Sequence, residues 1–409
     1  MIKYDLIVIG GGAAGMMSAG RAAEAGLTVL LLEKNNSPGV KLLATGRERC
    51  NLTNRVSARE MVNAFGPKGK FLFSALSRFD AESAIEFFVS RGVKIKVENN
   101  NRVFPQSDRA QDVLSALLGY LREGGVEVAF GAAVKKIVAK NGAVEKIILE
   151  DGREFFADKF IIAVGGKSYP ATGSTGDGYK WLGGLGHTII KPLPALAPII
   201  AKEKFVKDLE GLTITGARFI VMKKNKKLTE QSGDAIFTAN GLSGPAVLAL
   251  SGAISRNLPG IKLIIDFLPD ANLSAVDIKL QKILKENGSR QIKNALSTFL
   301  PERLVLILLR LAKINPEKKS GETERGERVA LGKLIKEFYL EIMGVADFDK
   351  AMMTSGGVDL KEVNPKTMRS KIIKNLFFAG EILDLDGPTG GFNLQMCWAT
   401  AVAAATKED

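Results

Sequence analysis

The stretch 4-YDLIVIGGGAAG-15 decides the fold of this chain. The apolar run from Tyr4 to Ile9 predicts a buried strand, and the glycines after it predict a tight turn into a helix that ends near Gly26. A second apolar run, Thr28 to Leu32, is closed by Glu33. A strand, turn, helix and strand within about 30 residues form the setting that a dinucleotide-binding fingerprint requires.

The glycines of this stretch have the GxGxxG spacing of such a fingerprint. The first allows the turn, the second lets the backbone approach a pyrophosphate, and the third lets helix and strand pack closely. Glu33 follows Gly15 by 18 residues, where its carboxylate can accept the ribose hydroxyls and repel a 2′-phosphate. The motif does not distinguish NAD from FAD. The residues expected at the pyrophosphate are Gly10, Gly12, Ala13, Ala14 and Gly15.

The segment 376-LFFAGEILDLDGPTGGFNL-394 favours FAD. It reads as an apolar strand that ends in Gly380 and Glu381, followed by glycines that open an Ala-rich helix. In flavin folds an acid after a late strand contacts the ribityl chain, and a helix N-terminus points at the pyrimidine carbonyl of the flavin ring. We therefore expect FAD as the cofactor.

The chain changes character between its two ends. Pro192, Pro194 and Pro198 crowd together, residues 211–266 are β-rich, and residues 274–313 have a helical pattern. After Asp349 the Gly-rich turns around an apolar strand return. The sequence predicts one α/β nucleotide-binding domain that is interrupted by an insertion near residues 191–350.

Composition narrows the class of protein. The 409 residues include one histidine and two cysteines, Cys50 and Cys397, which disfavours a metal site, a disulfide framework and dithiol chemistry. The two widely separated cysteines suit a reducing cytoplasm, where we expect this protein, with no metal. We expect no membrane partner, because the uncharged stretch from Ala235 to Ser255 is broken by Asn240, Pro245 and glycines.

Several further motifs resemble one family. They are KLLATGRERCNLTN (41–54), GGKSYPATGSTGDGY (165–179), TANGLSGP (238–245) and SGGVDLKEVNPKTMRSK (355–371). Together with both glycine-rich segments they resemble the BaiN/YhiN-type NAD(P)/FAD-dependent oxidoreductases from end to end. The resemblance implies a Rossmann-like FAD-binding domain (1–190 and 351–409), an inserted β-barrel-like domain (191–270), a helical subdomain (271–330) and a return through the insert (331–350).

The resemblance also implies a set of cofactor-binding residues. Glu33 and Lys34 would meet the adenosine ribose. One departure concerns Arg47 and Glu48, which stand where the family usually has small residues, so the loop beside the flavin is expected to differ. The other residues assigned to the cofactor are Lys41, Arg49, Cys50, Asn51, Val134, Gly165, Gly380, Glu381, Asp386, Gly391, Phe392, Asn393 and Leu394.

The sequence identifies no catalytic residue directly, since flavin itself carries the hydride chemistry. Cys50 and Tyr169 are the candidates, although Cys50 also suits a thiol packed beside FAD. His187 is expected to pack or cap, and Cys397 to lie in the core. There is no second GxGxxG unit, so NAD(P)H would serve as a transient reductant.

The resemblance implies reduction of a conjugated C=C bond, in a bile-acid dienone or in a uridine of large-subunit ribosomal RNA. Residues 191–350 carry 26 Lys and Arg against 18 Asp and Glu, whereas the other 249 residues carry 31 against 26. The densest cluster, Lys223 to Lys227, suits phosphate contacts with RNA or simply a solvated surface. Dihydrouridine formation is the leading prediction. The alternatives are a small-molecule enone reductase or amine oxidase, and a non-catalytic flavin-binding partner of ribosome assembly.

Overall fold

The structure is a computed structural model that describes residues 3–46 and 48–406. Its strands are β1 (Tyr4–Ile9), β2 (Val29–Leu32), β3 (Thr53–Asn54), β4 (Ile95–Glu98), β5 (Arg102–Pro105), β6 (Glu127–Ala129), β7 (Val134–Lys140), β8 (Ala143–Leu149), β9 (Glu154–Phe155), β10 (Ala157–Ile162), β11 (Ile189–Ala195), β12 (Ile199–Ala201), β13 (Thr213–Lys223), β14 (Lys226–Thr238), β15 (Gly241–Ser243), β16 (Ile261–Asp266), β17 (Phe338–Val345), β18 (Met353–Val358) and β19 (Leu376–Phe378).

Helices connect these strands throughout the chain. They are α1 (Ala13–Glu24), α2 (Val40–Ala44), α3 (Ala58–Ala64), α4 (Phe73–Arg78), α5 (Ala81–Val89), α6 (Ala110–Glu123), α7 (Asp177–Gly184), α8 (Pro245–Asn257), α9 (Leu273–Glu286), α10 (Ile292–Leu296), α11 (Glu302–Ala312), α12 (Arg325–Lys336) and α13 (Phe392–Ala405).

The chain folds as two compact units. The first contains the residues up to Leu193 and those from Ala351 onward, and the second runs from Pro194 to Lys350. The first unit is therefore assembled from both ends of the sequence, while the second is one continuous stretch.

A five-stranded sheet in the order β19-β10-β1-β2-β6 forms the centre of the first unit, and each pair of neighbours is parallel. Its inner strands are almost wholly apolar because both faces of the sheet are buried. Ile9 is level with Ile162 of β10 and with Leu32 of β2. The carboxyl ends of the strands therefore meet at one edge, where open α/β sheets bind their ligands.

Helices α1 and α13 are rich in small residues, and each is closely packed in this unit. A side chain at Gly20 of α1 would lie 2.3 Å from the ring of Tyr120, so α1 and α6 approach each other at that glycine. Helix α13 is buried over most of its surface, with Trp398 inaccessible to solvent and its Nε1 donating to the Leu52 carbonyl at 2.9 Å.

The second unit contains a closed six-stranded barrel, β12-β15-β14-β13-β16-β17. Phe219, Phe237 and Phe338 are fully buried in a hydrophobic core that also takes in the apolar faces of α9, α11 and α12. A parallel sheet and an inserted barrel with helices confirm the predicted fold class. Helix α12 crosses the boundary expected at residue 330, because Leu331 and Ile335 continue its buried stripe as far as Lys336.

Strands β13 and β14 form a long hairpin whose turn is Lys224-Asn225. Both turn residues have positive φ, +48° and +61°, as a two-residue hairpin turn of this twist requires. Across residues 3–46 and 48–406, the helices are all too short or too polar to cross a bilayer.

Candidate flavin site

A cavity of about 560 Å³ lies in the first unit, at the carboxyl edge of the parallel sheet. The ends of β1, β2 and β10 line it through Ile9, Leu32 and Ala163. The residues predicted from the sequence that line this cavity are Gly10, Gly12, Ala13, Ala14, Glu33, Lys34, Lys41, Val134, Gly165, Glu381, Asn393 and Leu394.

Three glycines shape the turn between β1 and α1. Gly10 has a φ of +104°, and a Cβ there would lie 2.6 Å from the Ala163 carbonyl oxygen. A Cβ at Gly15 would lie 1.7 Å from the Gly10 carbonyl oxygen, so Gly15 packs the helix against the turn instead of lining the cavity. A Cβ at Gly12 would meet no atom within 4 Å. The cavity thus reaches the backbone where α1 begins, as close approach of a pyrophosphate requires.

Glu33 is held against this turn. Its Oε2 accepts the backbone N–H of Gly11 and its Oε1 accepts that of Asn35, both at 2.7 Å. The side chain is only 7% exposed and lines the cavity. A carboxylate has about four acceptor positions, so two remain for ribose hydroxyls.

Lys34 points to the loop after β10. Its ammonium group donates to the Thr175 hydroxyl at 2.7 Å and to the Asp177 carboxylate at 3.0 Å. The Thr175 hydroxyl and Lys34 together hold the pKa of Asp177 below its usual value, against the opposing effect of burial. Lys34, Thr175 and Asp177 all line the cavity, as Glu33 does.

A second polar cluster joins Lys41 to Glu381. The Lys41 ammonium group donates to Glu381 Oε2 at 2.7 Å and to the Ser168 hydroxyl oxygen at 2.6 Å. Glu381 Oε1 accepts the Ser168 hydroxyl and the Thr354 backbone N–H, both at 2.8 Å. The glutamate expected at the ribityl chain is therefore also the counter-ion of a cavity lysine.

The start of α13 is built by close packing. Gly391 has a φ of +97°, and a Cβ there would lie 2.2 Å from the Thr53 carbonyl oxygen. The Asn393 side chain accepts the Gly387 N–H at 2.8 Å and donates to the carbonyls of Gly387 and Pro388. Asn393 fixes this loop while it lines the cavity.

Four predicted residues of the C-terminal segment lie outside the cavity lining, namely Gly380, Asp386, Gly391 and Phe392. Asp386 instead accepts the Ser355 hydroxyl at 3.1 Å and lies 3.6 Å from Lys68. Gly380 supports the wall from behind, since a Cβ there would lie 2.9 Å from Ala14 Cβ and 3.4 Å from Cys397 Sγ.

The expectation that Arg49, Cys50 and Asn51 line the cofactor does not match the cavity, because these residues are not part of its wall. Arg49 forms ion pairs with Glu98 and, at 2.6 Å, with Asp108. These partners turn its guanidinium over the Phe104 ring, 4.1 Å from the centroid.

The two residues that follow Arg49 face inward. The Cys50 side chain is fully buried, and burial raises the pKa of its thiol to about 12. Asn51 Oδ1 is buried and has no hydrogen-bond partner among the described residues. The residues of the 41–54 motif that do reach the cavity are Lys41, Leu42 and Thr45.

The loop before Cys50 has an unusual backbone. Gly46, Glu48 and Cys50 have φ values of +59°, +67° and +57°, in the left-handed region that favours glycine. Glu48 thus occupies a conformation that suits the small residues expected there. Arg47, the other departure noted in the sequence, lies outside the described residues.

The other catalytic candidate, Tyr169, and the single histidine, which is expected to pack or cap, are not cavity residues. Tyr169 is outside the lining, with a φ of +52° and a carbonyl that accepts the Thr172 hydroxyl at 2.7 Å. His187 is 4% exposed, lies edge-on to Phe378 and is 2.8 Å from the Ser370 hydroxyl. Burial lowers its pKa, consistent with a packed neutral ring.

Sequence reasoning did not identify Cys397 as a cavity residue or Thr354 as a hydrogen-bond partner of Glu381. The interpretation of Cys397 as a core residue is wrong, because its partly exposed side chain lines the cavity. Helix α13 is apolar on all sides, so its pattern could not indicate which face meets the cavity. Burial, and next the charge of Glu381, raise the pKa of the Cys397 thiol to about 12.

The residues of the cavity fit FAD. The backbone at Gly12 is open, as a pyrophosphate requires, and Glu33 keeps acceptor positions free for a ribose. At the other cluster, Lys41 and Asn393 offer polar groups beside apolar lining from Leu394. This mixture suits a flavin, which is a large apolar ring with polar edges.

The fold matches those of two solved ketosteroid dehydrogenases at low identity. The 3-ketosteroid Δ1-dehydrogenase of Sterolibacterium denitrificans has a TM-score of 0.54 and 13% identity, with 99% of each chain covered. The 3-ketosteroid-Δ4-(5α)-dehydrogenase of Rhodococcus jostii has a TM-score of 0.52 and 15% identity, with 99% of this chain and 97% of the other covered. These likenesses establish the fold alone.

Similar sequences extend over almost the whole chain. A 3-dehydro-bile acid Δ4,6-reductase of Clostridium scindens is 33% identical over 402 residues, 97% of each chain. A ribosomal RNA dihydrouridine synthase of Escherichia coli is 30% identical over 405 residues, 99% of this chain and 98% of the other. The expected class, an FAD-dependent oxidoreductase, is confirmed. Residues 4–407 match the family described as HI0933-like protein Rossmann domain, and the chain belongs to that family, as the resemblance to BaiN/YhiN-type proteins predicts.

Proposed function

We propose that this chain reduces a uridine C=C bond in large-subunit ribosomal RNA to give dihydrouridine, with FAD in the cavity and NAD(P)H as a transient reductant. The similar proteins include both a bile-acid reductase and ribosomal RNA dihydrouridine synthases, so similarity alone does not choose the substrate. The observation that carries the choice is the exposed lysine-rich tip of the β13–β14 hairpin.

The tip of this hairpin concentrates positive charge. Lys224, Lys226 and Lys227 are exposed, and the neighbouring Lys223 donates to the Asn257 carbonyl. Lys227 lies 3.3 Å from Glu230, whereas Lys224 and Lys226 form no ion pair within the described residues. Unpaired exposed lysines on a rigid hairpin suit contact with a phosphate backbone, where each contact releases a counterion.

Bound FAD supplies the hydride chemistry of the reaction. The residues of this chain that would hold it are the backbone of Gly12 at the pyrophosphate, Glu33 at a ribose, and Lys41 with Asn393 beside the flavin part. Leu394 would help to exclude water from the ring through its apolar lining of the cavity.

The number of glycine-rich, dinucleotide-binding turns supports a transient role for NAD(P)H. Within the described residues, the parallel sheet carries one glycine-rich turn of the GxGxxG type, between β1 and α1. A second resident dinucleotide would need its own turn. The reductant would therefore bind only long enough to reduce the flavin and then leave.

A second candidate is reduction of a small-molecule enone. The 33% identity to the 3-dehydro-bile acid Δ4,6-reductase favours it, since a bile acid is a small molecule. A small-molecule substrate has no phosphate backbone for the lysine-rich tip to contact, so the activity of such an enzyme would be insensitive to the loss of Lys224 and Lys226.

The decisive experiment is nucleoside mass spectrometry of ribosomal RNA from a strain that lacks this protein. Loss of one dihydrouridine, restored by the wild-type gene, is the expected result. An unchanged dihydrouridine content would overturn the RNA assignment and leave the flavoenzyme assignment intact. Anaerobic mixing with NADH or NADPH adds a separate control, because a flavin with only a structural role would stay oxidised.

A further inference from the structure

The pairing of Lys41 with Glu381 has a second consequence, which does not depend on the substrate. The two side chains come from positions 340 residues apart and meet on the cavity wall. The Lys41 side chain is 22% exposed and that of Glu381 is 8% exposed. The ion pair is therefore mostly withdrawn from water. In such a buried site charges act over a longer range than at a surface.

Lys41 has one hydrogen-bond donor left over. Its ammonium group has three N–H bonds, of which one goes to Ser168 and one to Glu381. No third partner exists among the described residues. The remaining N–H and the positive charge belong to a residue of the cavity wall, so a bound cofactor is their natural partner.

Glu381 is held as firmly as Lys41. Its Oε1 accepts two hydrogen bonds, from the Ser168 hydroxyl and the Thr354 backbone N–H. The Thr354 hydroxyl in turn accepts the backbone N–H groups of Lys167 and Ser168, at 2.7 and 3.1 Å. Four chain segments thus fix the ammonium group, which gives it a defined position instead of a mobile one.

The location of this cluster assigns it to the flavin part of the cofactor. Glu381 follows β19, and the adjacent Gly380 packs against Cys397 of α13. Glu33, at the pyrophosphate turn, has no part in this cluster, because its carboxylate accepts the backbone N–H groups of Gly11 and Asn35 instead. In flavin folds the loop after the late strand and the helix that follows it serve the ribityl chain and the ring.

We propose that Lys41 favours the reduced form of the bound flavin, and that Glu381 and Ser168 position its ammonium group. Reduction places negative charge on the flavin ring, and a fixed positive charge nearby stabilises that charge. The counter-ion Glu381 opposes this effect electrostatically while it holds the lysine in place. Lys41 and Glu381 therefore act on the reduction potential with opposite signs.

The test measures the midpoint potential of bound FAD by anaerobic dye equilibration, with no substrate present. Lys41→Met is expected to lower the equilibrium constant for reduction by about tenfold, which is about 30 mV for a two-electron couple. Glu381→Gln is expected to raise the potential, and the double variant to fall between the two. Lys41→Arg keeps the charge and should stay close to wild type.

A matched control is Lys34→Met, because Lys34 lines the same cavity but donates to Thr175 and Asp177. It should weaken FAD binding and leave the potential unchanged. If Lys41→Met does not retain FAD, the potential of Glu381→Gln decides alone: a raised potential supports the proposal, and an unchanged or lowered one overturns it. Shifts of Lys41→Met and Glu381→Gln in the same direction, or no shift in either, would overturn the proposal. Neither outcome bears on the ribosomal RNA assignment.

Discussion

Glu33 at the end of β2 accepts the backbone N–H of Gly11 at 2.7 Å, so one carboxylate joins a strand end to the glycine turn. Glu33→Gln would place an amide NH₂ against one of the two backbone N–H groups that the carboxylate now accepts. A buried donor left without an acceptor costs about 1–3 kcal/mol. We expect that loss of stability in urea unfolding, together with weaker FAD binding in a titration.

The control for Glu33 is Glu82→Gln, since Glu82 pairs with Arg55 on the exposed surface. Removing it should change neither stability nor FAD affinity measurably. If Glu33→Gln behaved like this control, the carboxylate would have no part in holding the turn.

Replacement of Glu48 by glycine should stabilise the protein. Glu48 is exposed and has a φ of +67°, a conformation that strains a residue with a Cβ but not glycine. The gain is expected to be about 0.5–1 kcal/mol, since glycine also loses more backbone entropy on folding. Urea unfolding of Glu48→Gly against Glu48→Ala measures it. An equal effect of both substitutions would show that the side chain, and not the backbone, is responsible.

His187 should make stability fall in mild acid. Burial lowers its pKa in the folded protein, so the unfolded chain takes up a proton first as the pH drops below about 6.5. Stability attributable to His187 is complete above that pH and declines as the pH falls towards the lowered pKa of the folded state. Urea midpoints at pH 7.5 and 5.5 should therefore differ more in wild type than in His187→Gln. A difference of the same size in both would exclude His187 as the cause.

The two cysteines should differ in their reaction with a small alkylating reagent. Both thiols have a pKa raised to about 12, so both react slowly at pH 7.5. Cys397 lines the cavity and should be the one labelled in FAD-free protein, while the fully buried Cys50 stays unmodified. Bound FAD should slow the labelling. Mass spectrometry of the Cys50→Ser and Cys397→Ser variants assigns the site, and labelling of Cys397 unaffected by FAD would place the cofactor elsewhere.

The lysine-rich tip should control binding to ribosomal RNA. Lys224→Gln with Lys226→Gln is expected to weaken binding and to lower the slope of log K against log salt by roughly 1–2. The matched control is Lys282→Gln with Lys285→Gln, an exposed pair on α9. Filter binding at several salt concentrations compares the two. An equal decrease in both would mean that net charge, and not this hairpin, attracts the RNA.

The fold was predictable where local pattern and buried position coincide. Strand β1 has the predicted bounds, Tyr4 to Ile9, because an apolar run beside a glycine turn admits few alternatives. The Asn141-Gly142 turn likewise joins β7 to β8, with positive φ at both residues. The extension of α12 to Lys336 could not be predicted in the same way, since polar residues interrupt the buried stripe of Leu331 and Ile335.

The candidate site was predictable only in part, because long-range partners decide where polar side chains point. Arg49 adjoins the flavin-type motif in sequence, yet Glu98 and Asp108 draw it to the surface of the β4–β5 hairpin. The pairing of Lys41 with Glu381 spans 340 positions and leaves no trace in local periodicity. The type of cofactor follows from short motifs, whereas the contacts of each residue require the folded chain.

The assembly of the first unit from both ends of the sequence has a consequence for synthesis on the ribosome. The second unit is contiguous, so every residue it needs has been translated before β18 is. At that moment the Rossmann-like sheet still lacks β19, and Glu381 and α13, which complete the cavity beside the glycine turn, have not been translated. Cofactor capture is therefore a late event in the life of the nascent chain. A polypeptide that terminates before Leu376 would retain a complete barrel sequence and the pyrophosphate turn but have no finished place for a flavin.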